Sequence, residues 1–146
     1  MDMQLQGKKA LITGSTYGIG YAIAEALAKE GVDVVITGRY QETVTSAVEK
    51  IKAINSQTKP IGISADCTTP DGCQSVFDAV PKVDILINNL GIYERKQFFE
   101  IDDTDWTRLF EINVMSGVRF TRFYTPKMVT QEWGRVIFIS SESGLM

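Results

Sequence analysis

Residues 11–39 read LITGSTYGIGYAIAEALAKEGVDVVITGR, and three signals lie within them. An apolar run, Ala10-Leu11-Ile12, leads into a glycine turn, Gly14-Ser15-Thr16-Tyr17-Gly18-Ile19-Gly20. Ile19, Ala22, Ile23, Ala26 and Leu27 then fall at helical spacing. Gly31 stops that helix, and Asp33–Thr37 reads as a second buried strand. Strand, turn, helix and strand make a βαβ unit, and a right-handed crossover makes its strands parallel.

A helix opening directly from a glycine turn suits an anion. Its first amides have no intrahelical partner, and the helix dipole favours negative charge there. A dinucleotide pyrophosphate at Gly14–Gly20 is the working expectation. The spacing Gly-x-x-x-Gly-x-Gly is one residue wider at the start than the common dinucleotide fingerprint. Glycines by themselves also suit any tight turn. A P-loop is excluded, because Gly20 is followed by Tyr21-Ala22 and not by Lys-Ser/Thr.

Working outward, the same alternation continues. Strands are expected at Lys9–Thr13, Asp33–Thr37, Pro60–Ser64, Val83–Ile87 and Arg135–Ile139. Helices are expected at Ile19–Glu30, Thr43–Ile54 and Asp71–Ala79, with a long one at Asp103–Met128 kinked near its end by Pro126. This is an α/β, Rossmann-like doubly wound parallel sheet ordered 3-2-1-4-5. In that order, the segments after strands one, four and five converge at the switch point. These are Gly14–Gly20, Asn88-Asn89-Leu90-Gly91 and Ser140-Ser141.

Composition narrows the chemistry. The 146 residues are 44% hydrophobic and 23% charged, with net charge −3, which gives no footprint for nucleic acid or an anionic membrane. No apolar run reaches the length of a membrane span, and the first residues do not read as a signal peptide, so a cytoplasmic location is expected. The chain has no histidine, which removes Ser-His-Asp and Cys-His catalysis and most catalytic zinc sites. Cys67 and Cys73 lack metal-type spacing and read as two buried, reduced thiols. No metal site is expected.

Each candidate residue has a functional and a plain structural reading. Gly38-Arg39 ends strand two, where NAD-binding sheets carry an acid for the adenine ribose hydroxyls. With no carboxylate there, Arg39 can clamp a 2′-phosphate, or it is a solvated surface arginine. The missing acid also argues against an S-adenosylmethionine methyltransferase. Asp66 either borders an adenine pocket or forms an Asx turn or helix cap before Thr68-Thr69-Pro70. Asn88 and Asn89 either tie strands together beside a ribose or simply turn the chain. Asn113 shares a helical stripe with Trp106, Leu109, Phe110, Gly117 and Phe120. It is read as a buried amide that bonds backbone or places a catalytic water. Ser140 and Ser141 follow strand five. One of them can donate to a substrate oxygen, but neither has a base to make it a nucleophile.

Together these residues resemble the short-chain dehydrogenase/reductase family. Thr13-Gly14-x-x-x-Gly18-Ile19-Gly20 is similar to its cofactor motif, and Asn88-Asn89-Leu90-Gly91 to its Asn-Asn-Ala-Gly motif, with Leu90 in place of alanine. Asn113 falls at the family's active-site asparagine and Ser141 at its catalytic serine. The resemblance runs from about Gly7 to Met146. It implies hydride transfer between a nicotinamide cofactor and a carbonyl or alcohol substrate, and Gly38-Arg39 makes that cofactor NADP(H) in preference to NAD(H). It assigns catalytic roles to Ser141 and Asn113. The expected cofactor-binding residues are Gly14, Ser15, Thr16, Gly18, Ile19, Gly20, Arg39, Asp66, Cys67, Asn89, Leu90 and Gly91. The family's Tyr-x-x-x-Lys has no counterpart here, because none of the five tyrosines has lysine four residues later. Residues 1–146 are therefore expected to be one NAD(P)-binding domain, C-terminally incomplete and inactive alone. The complete protein is expected to be a homodimer or homotetramer. A non-enzymatic nucleotide-binding or sensor domain on the same fold is the alternative.

Overall fold

The computed structural model of the chain describes residues 2–141. Five strands, β1 (Lys9–Ile12), β2 (Asp33–Gly38), β3 (Ile61–Ser64), β4 (Ile85–Asn88) and β5 (Arg135–Phe138), form one parallel sheet. Its order is β3-β2-β1-β4-β5, as the alternation predicts. The helices are α1 (Gly18–Lys29), α2 (Gln41–Ile54), α3 (Pro70–Ala79), α4 (Asp103–Phe110) and α5 (Ser116–Thr130). A short 3₁₀ turn at Phe98–Glu100, which no sequence signal marked, precedes α4.

The central strands β2, β1 and β4 are buried on both faces, with side chains alternating between two cores, while the edge strands β3 and β5 are largely exposed. Ala10, Ile12, Val34, Ile36, Ile85 and Ile87 face α1 and α2, where Ala24, Ala28, Ala47 and Ile51 meet them. Leu11, Val35 and Leu86 face α3 and α5. That second core is aromatic: Phe77 stacks on Phe123 with ring centroids 4.0 Å apart and meets Phe120 and Tyr124 edge-on. Tyr124 is fully buried, and its hydroxyl donates to the Val80 carbonyl at 2.7 Å. Cys67 and Cys73 lie in the same core as free thiols. At the amino ends of the strands, Lys8 and Arg135 both sit over the Trp133 indole, 4.1 and 4.8 Å from its centroid.

The long helix departs from expectation. A π turn over Glu111–Met115 separates α4 from α5, and the Ser116 amide donates to the Glu111 carbonyl five residues back. An uninterrupted helix would put Trp106, Phe110 and Asn113 on the inward stripe of Gly117 and Phe120. All three are exposed instead, and Asp105, Leu109 and Ile112 are the half-buried ones. The π turn takes up one extra residue, so the inward stripe slips back by one position. Arg119 is only 13% exposed and pairs with Glu111 at 2.7 Å. Pro126 lies inside the last turns of the helix, which runs to Thr130, two residues past the expected end at Met128. Both Pro126, which has no amide proton for the Arg122 carbonyl, and Arg122 are exposed.

Two stability predictions follow from the aromatic core. Tyr124→Phe leaves the Val80 carbonyl buried without its donor and should cost about 1–3 kcal/mol by urea denaturation. The second concerns alkaline pH. Burial pushes the Cys67 thiol up to about 12 and raises Cys73 as well. The folded state keeps protons that the unfolded chain loses near pH ~8.5. The thiols' contribution is therefore complete below about pH 8.5 and lost as pH climbs through the folded value. Unfolding free energy should fall from neutral into alkaline solution, and Cys67→Ala should flatten that slope.

Candidate active site

At the carboxyl ends of the strands lies a cleft of about 650 Å³. Four connections wall it: Gly14 to Ile19 after β1, Thr37 to Thr43 after β2, Ala65 to Thr68 after β3, and Asn89 to Ile92 after β4. Ile112, from the π turn, closes one side.

Hydroxyls at the strand ends hold these walls together. The Thr37 hydroxyl accepts from the Gly14 amide at 3.1 Å and donates to the Ile12 carbonyl at 3.3 Å. The Ser15 hydroxyl donates to the same carbonyl at 2.7 Å and accepts from the Thr37 amide at 3.0 Å. The Thr13 hydroxyl accepts from the amides of Asn89 and Leu90, at 3.0 and 3.2 Å. The Asn89 side-chain amide donates to the carbonyls of Thr13 and Gly14, at 3.0 and 3.1 Å. Asn88 ties β4 to α5 through a 3.2 Å bond to the Thr121 hydroxyl.

The glycine turn is shaped for close approach. Gly14 has φ +61°, in the left-handed region. A Cβ on Gly20 would lie 2.5 Å from the Gly14 carbonyl oxygen and 2.6 Å from Asn89 Nδ2, so only glycine lets α1 start against the sheet. The N-cap of α1, Tyr17, makes no side-chain cap bond, and the first turn carries no acid. The helix N-terminus is left free of protein anions at the cleft wall. Gly18 faces open space, with nothing within 4 Å of where its Cβ would stand. Tyr17 and Tyr40, 80% and 65% exposed, flank the opening. An elongated phosphate-bearing ligand with flat rings fits this set of groups.

Of the expected cofactor-binding residues, Gly14, Thr16, Gly18, Ile19 and Arg39 line the cleft, as do Asp66, Cys67, Asn89, Leu90 and Gly91. Ser15 and Gly20 do not. Ser15 is fully buried with its hydroxyl spent between β1 and β2, and Gly20 is packed under the turn. The Asp66 carboxylate accepts from the Thr68 amide and hydroxyl, at 3.0 and 2.6 Å, so it closes an Asx turn. The helix cap is Thr69, which accepts from the Gly72 amide at 3.1 Å. Arg39 is exposed, and its guanidinium reaches over the Tyr40 ring at 5.6 Å.

Asn113 is exposed, contrary to the buried stripe expected for it. Its Oδ1 accepts from the Ile92 amide at 2.9 Å, and its Nδ2 donates to the carbonyls of Ile92 and Leu109, at 3.1 and 3.0 Å. The side chain thus pins the loop after β4 to the π turn. Ser140 and Ser141 follow β5, are exposed and stand outside the cleft lining. Thr37 and Ile112 belong to the site but went unread. Thr37 looks like an ordinary strand residue, and Ile112 enters only because the π turn rotates it inward.

Comparison with known proteins agrees with this geometry. The short chain dehydrogenase family profile matches residues 8–146. The uncharacterized oxidoreductase YvaG of Bacillus subtilis (strain 168) is 49% identical over 146 residues, covering 100% of this chain and 55% of that protein. L-sorbose reductase from Gluconobacter frateurii, solved with NADPH and L-sorbose, superposes with a TM-score of 0.90 at 35% identity, covering 94% of this chain and 54% of that one. A 7α-hydroxysteroid dehydrogenase solved with NADH superposes with a TM-score of 0.90 at 29% identity, covering 97% and 56%. The chain spans about half the length of the curated relatives it matches. With a family match across nearly all its residues and the sheet order to go with it, the chain belongs to the short-chain dehydrogenase/reductase family.

Proposed function

We propose that residues 1–146 form a single nucleotide-binding unit for NADP(H). The unit serves an oxidoreductase that passes hydride between the nicotinamide and a carbonyl or alcohol. The observation that carries this reading is the cleft itself. One 650 Å³ space gathers the glycine turn, the uncapped start of α1, and an exposed Arg39. The pyrophosphate belongs at Gly14–Ile19, where backbone amides and the helix dipole favour it. The adenosine end belongs beside Arg39, Asp66 and Cys67, and the nicotinamide ribose beside Asn89–Gly91. Relatives carry either cofactor, so the preference for NADP(H) rests on Arg39. Its guanidinium follows Gly38 and not a carboxylate, and it suits a 2′-phosphate.

The bound nicotinamide supplies or accepts the hydride. Ser141 donates a hydrogen bond to the substrate oxygen. Asn113 is a positioning residue: both Nδ2 protons are spent on backbone, and it fixes the loop that carries Gly91 and Ile92. Among the described residues, the tyrosines of the cleft are Tyr17 and Tyr40, which flank its opening and have no lysine four residues on. The chain lacks histidine, and burial holds the Cys67 thiol at about 12. Residues 1–146 therefore bind nucleotide without turning over a carbonyl. The same reading makes the assembled protein a cytoplasmic homodimer or homotetramer, with the exposed rings of Phe98, Phe99, Trp106 and Phe110 supporting an interface.

By calorimetry, NADPH should bind the protein more tightly than NADH. Arg39→Ala should remove about 1.5–3 kcal/mol from NADPH binding, roughly 10- to 150-fold, and leave NADH nearly unchanged. Equal weakening of both would defeat the phosphate role. The 146-residue chain should consume no NADPH against a carbonyl panel. In the natural enzyme, Ser141→Ala should lower kcat by about 10²–10³-fold with little change in NADPH affinity. Turnover by the isolated 146 residues would show that they contain a proton donor of their own.

A further inference from the structure

Gly38 has no positive φ, so its backbone would accept any residue. Its neighbours would not. A Cβ at position 38 would lie 2.5 Å from Thr16 Cγ2, 3.3 Å from Val44 Cγ2 and 3.4 Å from Thr16 Oγ1. Real Cβ atoms do not approach carbon at 2.5 Å. Val44, in the first turn of α2, is fully buried. Thr16 is β-branched, with a stiff χ1. Its backbone follows Ser15, whose amide and hydroxyl are both bonded to Thr37, at 3.0 Å each. The Thr16 methyl therefore occupies the space into which a side chain at the end of β2 would project.

We propose that Thr16 is a specificity-determining residue of the nucleotide site and acts by exclusion. Its methyl group holds position 38 to glycine. No carboxylate can then stand at the end of β2, where it would bond ribose hydroxyls and repel a 2′-phosphate. Arg39 is left to meet the phosphate unopposed. The cofactor preference is thus written in a contact between two turns as well as in the arginine. This inference rests on the nucleotide reading above.

The test is a double-mutant cycle on the purified protein with Gly38→Asp, Thr16→Ala and both together. NADPH and NADH affinities are measured by calorimetry, and melting temperature without nucleotide. Gly38→Asp alone should melt lower than wild type and bind NADPH at least about tenfold more weakly, with no gain for NADH. Adding Thr16→Ala should restore the melting temperature lost to Gly38→Asp and raise NADH affinity above wild type. Gly38→Ala, alone and with Thr16→Ala, repeats the steric half of the cycle without an added charge and should show the same rescue. The exclusion role is overturned if Gly38→Asp alone gains NADH as well as the double variant does, or if Thr16→Ala rescues neither substitution. Wild type that binds neither nucleotide would instead sink the cofactor reading. Coupling in the melting cycle would then mark the Thr16 contact as packing alone, and its specificity role would fall too.

Discussion

Where a parallel sheet ends, the last carbonyls and the first loop amides lose their ladder partners, and each must be met or exposed to water. Here, side chains from the strands themselves meet them. Thr37 and Ser15 share the Ile12 carbonyl and bond the Gly14 and Thr37 amides, while Thr13 takes the two amides that follow β4. These three hydroxyls are buried and satisfied, so each can be removed only by leaving backbone groups unpaired. The glycine turn is thereby fixed from beneath, by the sheet. Its upper surface is free to meet a ligand, and neither face of the turn does both jobs.

That division also explains what was legible in the sequence. The strand order followed from the βαβ pattern, since period-two burial of Leu11 against Ala10 and Ile12 needs helices on both faces. That the glycine turn, Arg39 and Asn89–Gly91 meet at one cleft was legible because glycine, charge and adjacent amides are unusual at strand ends. Ser15 lies outside the cleft lining, and a serine within a glycine turn looks the same whether its hydroxyl faces ligand or sheet. Thr37 was invisible for the same reason. The stripe through Asn113 failed on a different ground. Its period was read at 3.6 residues, and one π turn displaces the inward face by a residue. Nothing in Glu111–Met115 announces that turn, which shows only in where Leu109 and Ile112 face.

The cleft has two kinds of wall. The β1, β2 and β3 sides are built on buried backbone bonds and a full core. The loop after β4 is pinned from outside, by the two Asn113 bonds to Ile92 and by surface ion pairs of Lys96 with Asp105 and Arg108 with Glu94. Exposed pairs of that kind contribute little each. The loop side is the part of the site most easily opened, and Asn113 is its chief fastening.

Trp133 is held between Lys8 and Arg135 at the amino ends of the strands, opposite the cleft, and Trp106 stands exposed on α4. The chain has no other tryptophan. Its tryptophan emission is consequently divided between two probes that do not line the cleft. The one at Trp133 reports the seam between the N-terminal segment and β5, where a cation against the indole makes the spectrum sensitive to salt as well as to unfolding. The one at Trp106 reports the outer face of α4. Unfolding curves followed by tryptophan emission therefore record the sheet edge and the outer helix, and rearrangement at the glycine turn, whose own aromatic is Tyr17, passes without a direct tryptophan signal.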